Sequence, residues 1–392
     1  MKTIQFCDNF YPQIDGVVQV VDNTAKIMNR TNETKVVVPN YETNPFDDSV
    51  FSYEVWRRDT NTVKALGFDV PLPVRTKDLT ERLLDFNADI YHAHSPFFIG
   101  KYGLKLAREQ DIPIVATFHS QFKKDALSIT HSKVIASGVT NVVTRYFNRC
   151  DEVWAPSRST AEVLRSYGYE KEIFVMENGT DFEYPENIDE IVKAVREKYG
   201  IKEKERNLLF VGQIREVKNI QLILETLSNL LKKNTNYRLY LVGEGVDLPK
   251  YQAWLEEHGI ARYAKFLGKV SDRKELAGIY ASCDLFFFPS SYDNAPIVVR
   301  EACTMKTPVL CLKDTAAAEP FTDGVNGYLG VENAEKLAEK IERIFENEEE
   351  RKRVGESASK IPFSFELMAK RTLERYERVI ENYERKKHEN GK

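Results

Sequence analysis

Apolar and polar positions follow two different periods along the chain. Short runs rich in β-branched and aromatic residues are followed by longer stretches in which apolar residues recur at helical spacing. This alternation is typical of parallel sheets whose strands are joined by covering helices. In the first half it predicts strands at Thr3–Cys7, Lys35–Pro39, Ile90–His94, Pro113–Phe118, Glu152–Ala155 and Ile173–Met176. In the second half it predicts strands at Leu208–Val211, Arg238–Val242, Ala264–Phe266, Leu285–Phe288 and Val309–Leu312, and helices near Leu222–Lys232, Leu248–His258, Lys274–Ala281 and Val298–Met305.

The pattern is interrupted around Tyr184–Ile188, where Pro185 and several acidic residues precede a charged helical stretch. A chain of 392 residues is also too long for one ordinary core. We therefore predict two doubly wound α/β domains, the first over residues 1–185 and the second over residues 186–370. Residues 371–392 are assigned to a C-terminal helix whose pattern covers about Phe365–Lys387.

Composition and charge narrow the class of protein. Hydrophobic residues make up 42% and charged residues 30%, as in soluble globular proteins. The five cysteines are scattered without a Cys-x-x-Cys pair, which indicates neither a disulfide framework nor a zinc site. The apolar stretch after Met1 is too short for a signal peptide, so the sequence favours a cytoplasmic chain. Residues 1–185 carry 21 Lys and Arg against 25 Asp and Glu, and the remainder carries 35 against 35, which argues against nucleic-acid binding.

Candidate chemistry is expected in the loops that follow strands, because open α/β sheets bind ligands outside the carboxyl ends of their strands. The loop after the first strand ends in Asp15 and Gly16 and opens a helix near Val17. Such a loop can present backbone N–H groups to a phosphate or a sugar. The alternative is an ordinary strand-to-helix turn.

Three of the six histidines stand at the ends of two predicted strands: His92 and His94 at one, and His119 after the next. His92 and His94 share one face of their strand, which is compatible with inward, structural side chains. They lack an obvious carboxylate or thiolate partner, so a zinc site is not expected. His119 begins its loop and is the better candidate for a functional role.

Two loops of the second half combine charge with a helix start. Arg215 and Lys218 precede a helix and would add positive charge to its N-terminus, which suits a diphosphate. Asp293 and Glu301 stand eight residues apart, one before the next helix and one inside it, and Pro296 suits that helix's first turn. Solvated basic residues and a helix-surface acid are the alternatives for these positions.

In combination these pieces resemble the retaining glycosyltransferases of family 4, which share the GT-B fold. The resemblance covers nearly the whole chain. It rests on His119 after its strand, Pro156-Ser157 before a helix, Asn178-Gly179-Thr180-Asp181, the stretch from Gly212 to Lys218, Gly243-Glu244-Gly245, the acids Asp293 and Glu301, and Asp323-Gly324-Val325-Asn326-Gly327. It implies two Rossmann-like domains that face each other across a cleft, with the C-terminal helix crossing back to the first domain.

The resemblance also implies roles for single residues. Lys218 would hold the donor diphosphate, and Glu301 the ribose hydroxyls. Asp293 would face the transferred sugar, and His119 would contact it near the reaction centre, so that His119, Asp293 and Lys218 form the catalytic set. The other implied donor-binding residues are Gly16, Gly212, Gln213, Arg215, Asn294, Ala295, Pro296, Ile297 and Val298, and the implied acceptor residues are Asp15, His94 and Phe122.

Two positions depart from the family. Asp293 stands where the family usually has Glu, which can change how the sugar is held. Gln213 stands where it usually has Arg, so the phosphate clamp lacks a charge that Arg215 is the candidate to replace. The implied reaction is a front-face displacement in which Lys218 and a helix N-terminus stabilise the leaving diphosphate. No Asp-x-Asp motif stands at a strand end, so neither a catalytic metal nor another cofactor is expected.

The expected activity is transfer of a hexose from UDP-glucose or a similar nucleotide sugar to an acceptor hydroxyl, with a membrane glycolipid or diacylglycerol as candidate acceptor. The segment Phe122–Arg149 mixes five basic residues and one acid with apolar residues. That composition suits peripheral contact with an anionic inner membrane face, and a helix packed on the sheet with a solvated rim is the alternative.

Two further classes stay open: a nucleotide-sugar 2-epimerase of the same fold, and a sugar-nucleotide-binding protein with weak or no catalysis. A dehydrogenase is disfavoured because no Gly-x-Gly-x-x-Gly follows the first strand. The sequence leaves the donor base, the hexose, the acceptor and the oligomeric state open.

Overall fold

The computed structural model describes residues 1–13, 15–41, 45–65, 68–73 and 77–390. By its contacts the chain divides into two compact units, Met1–Gly179 together with Phe365–Lys392, and Thr180–Ser364. Each unit is built on its own parallel sheet, with helices in the connections between strands. The predicted fold class, two doubly wound α/β domains, is confirmed.

The first unit is built on a seven-stranded parallel sheet with the strand order β3-β2-β1-β6-β7-β8-β9. Up to residue 179 its elements are β1 (Lys2–Phe6), α1 (Gly16–Met28), β2 (Glu33–Pro39), β3 (Glu54–Arg58), β4 (Thr60–Ala65), β5 (Phe68–Pro73), α2 (Lys77–Phe86), β6 (Ile90–Ala93), α3 (Phe98–Gln110), β7 (Ile114–Thr117), α4 (Phe122–Thr130), α5 (Lys133–Phe147), β8 (Glu152–Ala155), α6 (Arg158–Ser166) and β9 (Phe174–Val175). The central strands β6 and β7 are buried along their whole length, because helices cover both faces of such a sheet.

The second unit is built on a six-stranded parallel sheet with the order β12-β11-β10-β13-β14-β15. Its elements are α7 (Ile188–Tyr199), β10 (Arg206–Val211), α8 (Ile220–Lys233), β11 (Tyr237–Val242), α9 (Leu248–Glu257), β12 (Ala264–Gly268), α10 (Arg273–Ser282), β13 (Leu285–Phe288), α11 (Ile297–Thr304), β14 (Val309–Leu312), β15 (Tyr328–Gly330), α12 (Ala334–Glu346) and α13 (Glu348–Ala358). The loops that follow β10 and β13 leave the same edge of the sheet, because these strands are parallel neighbours.

The terminal helix α14 (Phe365–Asn390) returns to the first unit, as predicted. It packs against α1. The Arg375 guanidinium donates to both carboxylate oxygens of Glu152 at 2.8 and 2.7 Å, and the Tyr383 hydroxyl donates to Asp111 at 2.8 Å. These contacts make α14 an integral helix of the first unit.

Every predicted strand is present, with ends shifted by at most two residues. Sequence reasoning missed β3, the antiparallel hairpin of β4 and β5, and β15. The strand β3 (Glu54–Arg58) is an edge strand of mostly charged residues, and β15 has three residues. Neither offers a run of apolar residues long enough to predict a strand.

Candidate active site

Lys218 and Asp293 form an ion pair at the carboxyl edge of the second unit's sheet. Lys218 ends a short 3₁₀ helix after β10, and Asp293 lies in the loop after β13. Their side chains are only 14% and 17% exposed. The Lys218 Nζ donates to Asp293 Oδ1, whereas Asp293 Oδ2 is buried and has no hydrogen-bond partner among the described residues. A partly desolvated charge pair with an unused acceptor suits a ligand that carries both an anion and hydroxyl groups.

The loop that carries Asp293 leads directly into the N-terminus of α11. Pro296 occupies the cap position and provides no side-chain cap. The Val299 N–H donates to the Pro296 carbonyl at 3.2 Å, whereas the first N–H groups of a helix lack acceptors within the helix, and the helix dipole makes this end positive. The structure therefore brings one stretch of predicted residues together beside Asp293, namely Asn294, Ala295, Pro296, Ile297 and Val298. A helix tip of this kind binds phosphate groups.

Glu301 lies inside α11 and is buried. Its Oε2 accepts from the Tyr280 hydroxyl at 2.8 Å, and its Oε1 accepts from Arg273 at 2.9 Å. Burial raises the pKa of Glu301, while the charge of Arg273 lowers it. Arg273 also pairs with Asp181. Sequence reasoning missed Arg273 and Tyr280, because neither stands at a strand end. Glu301 thus has two protein partners, and its role in ribose binding stays a prediction.

Gly212, Gln213 and Arg215 lie together in the loop after β10. Gln213 is exposed and Arg215 is half-buried. The Lys218 N–H donates to the Arg215 carbonyl at 3.0 Å, so Arg215 shares a turn with the predicted phosphate ligand Lys218. This placement is compatible with Arg215 supplying the charge that Gln213 lacks.

We expect Gly243→Ala to destabilise the protein far more than Gly200→Ala. Both glycines have a positive φ, +132° at Gly243 and +68° at Gly200. A Cβ at Gly243 would lie 1.9 Å from the Gly212 carbonyl oxygen, whereas a Cβ at Gly200 would have open space to 4 Å beyond its chain neighbours. Gly200→Ala should therefore lower the free energy of unfolding by about 1 kcal/mol through strain alone, and Gly243→Ala by about 3 kcal/mol or more. Urea unfolding measures both, and equal losses would contradict the packing of the Gly243 turn against the Gly212 loop.

Predicted residues in the loops of the first unit have structural partners. Asp15 caps α1: its Oδ1 accepts from the Val18 N–H at 2.9 Å, and its Oδ2 accepts from the Asn9 amide at 2.8 Å. A Cβ at Gly16 would meet no atom within 4 Å beyond its chain neighbours, so the loop has free space there. Phe122 packs in the core. The acceptor roles of Asp15 and Phe122 stay predictions.

Asp8, which sequence reasoning missed, links two strand-end loops of the first unit. Its carboxylate accepts from the Ile99 N–H at 2.7 Å and from the Ser95 hydroxyl at 2.5 Å, and its own N–H donates to the Ser95 oxygen at 3.0 Å. Burial raises the pKa of Asp8, and these hydrogen bonds lower it. The signal in the sequence is its position two residues beyond the end of β1.

The three predicted histidines form one cluster in the first unit. The rings of His92 and His94 stack with centroids 4.1 Å apart, and those of His94 and His119 with centroids 5.3 Å apart. His92 is bound through Nδ1 to the Tyr376 hydroxyl at 2.5 Å and through Nε2 to the Thr117 hydroxyl at 2.7 Å. His92 and His94 are both buried, as the alternation along their strand predicts.

Burial lowers the pKa of every histidine in this cluster. The pKa of His92 falls to about 3 and that of His119 to about 4, and the pKa of His94 falls well below its usual range. Neighbouring histidines lower the pKa values of His92 and His94 further. All three rings are therefore neutral at pH 7 and act as hydrogen-bonding groups. Within the described ranges no group of three or more His, Cys, Asp or Glu side chains is placed to hold a metal ion.

The helix α5 has one face in the core and one exposed face. Ala136, Val143 and Phe147 are among its buried residues. On the outer side Val134, Ile135 and Val142 are 82%, 50% and 46% exposed. Exposed basic residues on or beside α4 and α5 are Lys123, Lys124, Lys133, Arg145 and Arg149. The segment thus packs on the core and also presents an apolar and basic surface. Of the helices that the structure describes, none is long and apolar enough to span a membrane.

The fold and the site together define a two-unit α/β protein. Its second unit is suited to bind a ligand that carries an anion and hydroxyl groups. Residues 14–184 match the family model of Glycosyltransferase Family 4, and residues 191–361 match that of Glycosyl transferases group 1. The chain belongs to family 4 of the glycosyltransferases and is a glycosyltransferase of the GT-B fold.

Named relatives differ in the reactions for which they are named. The chain is 25% identical over 383 residues to the alpha-monoglucosyldiacylglycerol synthase of Acholeplasma laidlawii, covering 93% of this chain and 94% of that protein. It is 26% identical over 332 residues to the enzyme of that name from Streptococcus pneumoniae, covering 79% of this chain and 70% of the other. A GDP-mannose-dependent alpha-mannosyltransferase of Corynebacterium glutamicum is 24% identical, covering 84% and 76%. Among solved structures, Anabaena Alr3699/HepE in complex with UDP is similar with a TM-score of 0.75, 18% identity, and coverage of 95% of this chain and 99% of that chain.

Proposed function

We propose that this glycosyltransferase moves a hexose, with retention of its anomeric configuration, from a nucleotide-diphosphate sugar to an acceptor hydroxyl. The observation that carries the proposal is the Lys218–Asp293 pair beside the uncapped N-terminus of α11. Lys218 and the helix tip attract the diphosphate, and the unused Asp293 oxygen accepts from a sugar hydroxyl. Arg215, Gly212 and Gln213 line the loop that approaches the phosphates, and Glu301 binds the ribose.

The proposed reaction is a front-face displacement at the anomeric carbon. The bond from that carbon to the diphosphate oxygen breaks, and a bond to the acceptor oxygen forms on the same face. The proton of the acceptor hydroxyl passes to the departing phosphate oxygen. Lys218 and the α11 dipole stabilise the negative charge that develops on the leaving group, so preorganised electrostatics lower the barrier. His119 is the residue that we propose as a contact of the transferred hexose. No protein group requires a metal ion in this scheme, and metal independence is part of the proposal.

Diacylglycerol or a glycolipid is the proposed acceptor. Two relatives are named as glucosyldiacylglycerol synthases, and glucose from UDP-glucose is the corresponding donor that we propose for this chain. The exposed apolar residues of α5 with their basic neighbours suit the surface of an anionic bilayer, because apolar side chains enter the interface while Lys and Arg attract anionic lipid. Peripheral binding of this kind would give the enzyme access to a lipid hydroxyl.

We expect the protein to float with vesicles that contain phosphatidylglycerol and to remain unbound with phosphatidylcholine vesicles. Replacing Val134 and Val142 together by Asn should reduce binding at least tenfold, because two apolar side chains leave the interface. The matched control is Val246→Asn, which changes a valine of the second unit that is as exposed as Val134. Flotation that is equal in all three proteins, or absent with anionic vesicles, would contradict a membrane role for α5.

A thermal-shift screen of nucleotide diphosphates and their sugars tests the donor part of the proposal. A ligand that binds only the folded state raises the unfolding temperature with its concentration. We expect UDP and UDP-glucose to give the largest shifts, and Lys218→Gln to abolish them. A larger shift with GDP and GDP-mannose would correct the donor base, and no shift with any nucleotide would contradict the donor site.

Incubation with donor alone distinguishes the remaining classes. A glycosyltransferase leaves the hexose of the nucleotide sugar unchanged when no acceptor is present, apart from slow hydrolysis. Conversion of the donor sugar into its 2-epimer would replace the proposal by the epimerase class. Donor binding without turnover on any acceptor would replace it by a sugar-nucleotide-binding protein.

A further inference from the structure

Asn219 directly follows Lys218, and its side chain joins the Lys218 loop to two other loops at the carboxyl edge of the second unit's sheet. The Asn219 Nδ2 donates to the Pro289 carbonyl at 3.2 Å and to Glu332 Oε1 at 2.8 Å. Pro289 follows β13 and begins the loop that carries Asp293, whereas Glu332 lies two residues beyond the end of β15. One amide group therefore connects the loops that follow β10, β13 and β15.

The two acceptors fix the orientation of the Asn219 amide. A peptide carbonyl oxygen and a carboxylate oxygen both accept, and the amide nitrogen carries two hydrogens. The NH₂ group must therefore face Pro289 and Glu332, and each hydrogen has one partner. An amide turned by 180° would place its own oxygen against two oxygens, so neither hydrogen bond could form.

The backbone of Asn219 closes the turn that carries Lys218. Its N–H donates to the Glu216 carbonyl at 2.8 Å, and its φ of +61° lies in the left-handed region that Asn tolerates better than most residues. Asn219 also occupies the N-cap position of α8, yet its side chain makes no cap hydrogen bond, although Asn is among the preferred capping residues. Glycine could adopt the same turn, but it would lack the amide that links the loops.

The other end of the same turn is held by Asp247. The Asp247 carboxylate accepts from the Glu216 N–H at 2.8 Å, and the Asp247 N–H donates to the Ile214 carbonyl at 3.3 Å. The turn is thus fixed at its start to the loop after β11 and at its end, through Asn219, to the loops after β13 and β15. Only the second of these links reaches the loop that carries the ion-pair partner of Lys218.

We propose that Asn219 is a positioning residue that holds Lys218 beside Asp293 through its hydrogen bonds to Pro289 and Glu332. Its use in catalysis rests on the proposed function, in which Lys218 receives the donor diphosphate. A cation that is already in place stabilises the leaving group without the cost of reorganising the loop during the reaction. Asn219 thereby acts on the reaction through Lys218.

Urea unfolding of the chain without ligand tests whether the ion pair depends on Asn219. Lys218→Gln leaves Asp293 without its partner and raises the unfolding constant, provided that the pair is formed. Asn219→Gly keeps the turn and removes both links, so in this background Lys218→Gln should raise the unfolding constant by a factor about fivefold smaller than in the wild-type background. The matched control is Asn87→Gly, which changes an exposed asparagine of the first unit with a φ of +50° and should leave the factor unchanged. Equal factors in the wild-type and Asn219→Gly backgrounds would overturn the proposal.

The link to the reaction is tested on kcat/KM for the nucleotide sugar. Asn219→Gly should lower kcat/KM about tenfold in the wild-type background, the effect of one to two hydrogen bonds. In the Lys218→Gln background the same change should lower it less than about twofold, because no cation is left to position. An equal loss in both backgrounds would overturn the action of Asn219 through Lys218. An ion pair that depends on Asn219 in a chain that transfers no sugar would reject the proposed function alone.

Discussion

Replacement of Lys218 by Gln is expected to lower kcat/KM for the nucleotide sugar by about 10²- to 10³-fold, the usual effect of removing one group that stabilises transition-state charge. Lys218 is held at the carboxyl edge of the second sheet by its pair with Asp293, so its charge is in place before the donor binds. The exposed Lys274 on α10 provides the matched control, and Lys274→Gln should leave kcat/KM unchanged. A rate that is the same in both variants would remove Lys218 from the reaction.

Stability must be separated from activity in this experiment. Loss of Lys218 leaves the Asp293 carboxylate largely buried without its ion-pair partner, which should lower the free energy of unfolding by up to about 3 kcal/mol. Adding Asp293→Asn removes the unpaired charge and should recover most of that stability. The double variant should nevertheless keep a kcat/KM at least about 10²-fold below that of the wild-type chain, because the diphosphate still lacks its cation. Recovery of activity together with stability would show that Lys218 acts on the fold alone.

The first unit is expected to lose stability steeply as the pH falls from about 6.5 towards 4. His92, His94 and His119 have pKa values lowered in the folded state, so below the unfolded pKa of about 6.5 the unfolded chain binds protons that the folded chain does not. The stability is fully present above pH 6.5. Each histidine should contribute a loss of about 2 kcal/mol between pH 7 and pH 5. Protonation of Asp8, whose pKa is raised, acts in the opposite direction.

A variant comparison isolates the histidine contribution from that of the carboxylates. His92→Gln should make the fall in stability between pH 7 and pH 5 smaller by about 2 kcal/mol, whereas the exposed His388 of α14 provides a control whose replacement by Gln has no effect. Urea unfolding in a Trp254→Phe background follows the first unit, because the remaining Trp56 and Trp154 both lie there. An unchanged pH dependence in His92→Gln would mean that His92 is charged in the folded protein.

The sheets could be predicted from the sequence where a strand is buried on both faces. Leu285–Phe288 is a continuous apolar run, and the structure gives the strand the same ends. The edge strand β3 was missed because its pairing depends on backbone hydrogen bonds to β2, and its charged side chains carry no strand signal. An edge strand of this type can be recognised only from its backbone hydrogen bonds to the partner strand.

The sequence allows the loops of the candidate site to be predicted, but not the contacts between their side chains. Parallel strands predict that the residues after β10 and β13 share an edge, which places Lys218 and Asp293 in the same region. Their ion pair joins residues 75 positions apart, and no periodicity reports such a pair. Arg273 was missed because it stands at the start of a helix, where solvated charged residues are common. Its hydrogen bond to Glu301 forms only in the folded structure.

The most direct test of hexosyl transfer is proton NMR of the reaction of UDP-glucose with diacylglycerol in phosphatidylglycerol vesicles. We expect release of UDP together with a new glucosyl lipid whose anomeric proton has the small coupling of an α-glycoside, formed by the wild-type chain and 10²- to 10³-fold more slowly by Lys218→Gln. A β-glycoside, or consumption of the nucleotide sugar without a new glycosidic bond on any acceptor tested, would contradict retaining transfer from a donor held by Lys218.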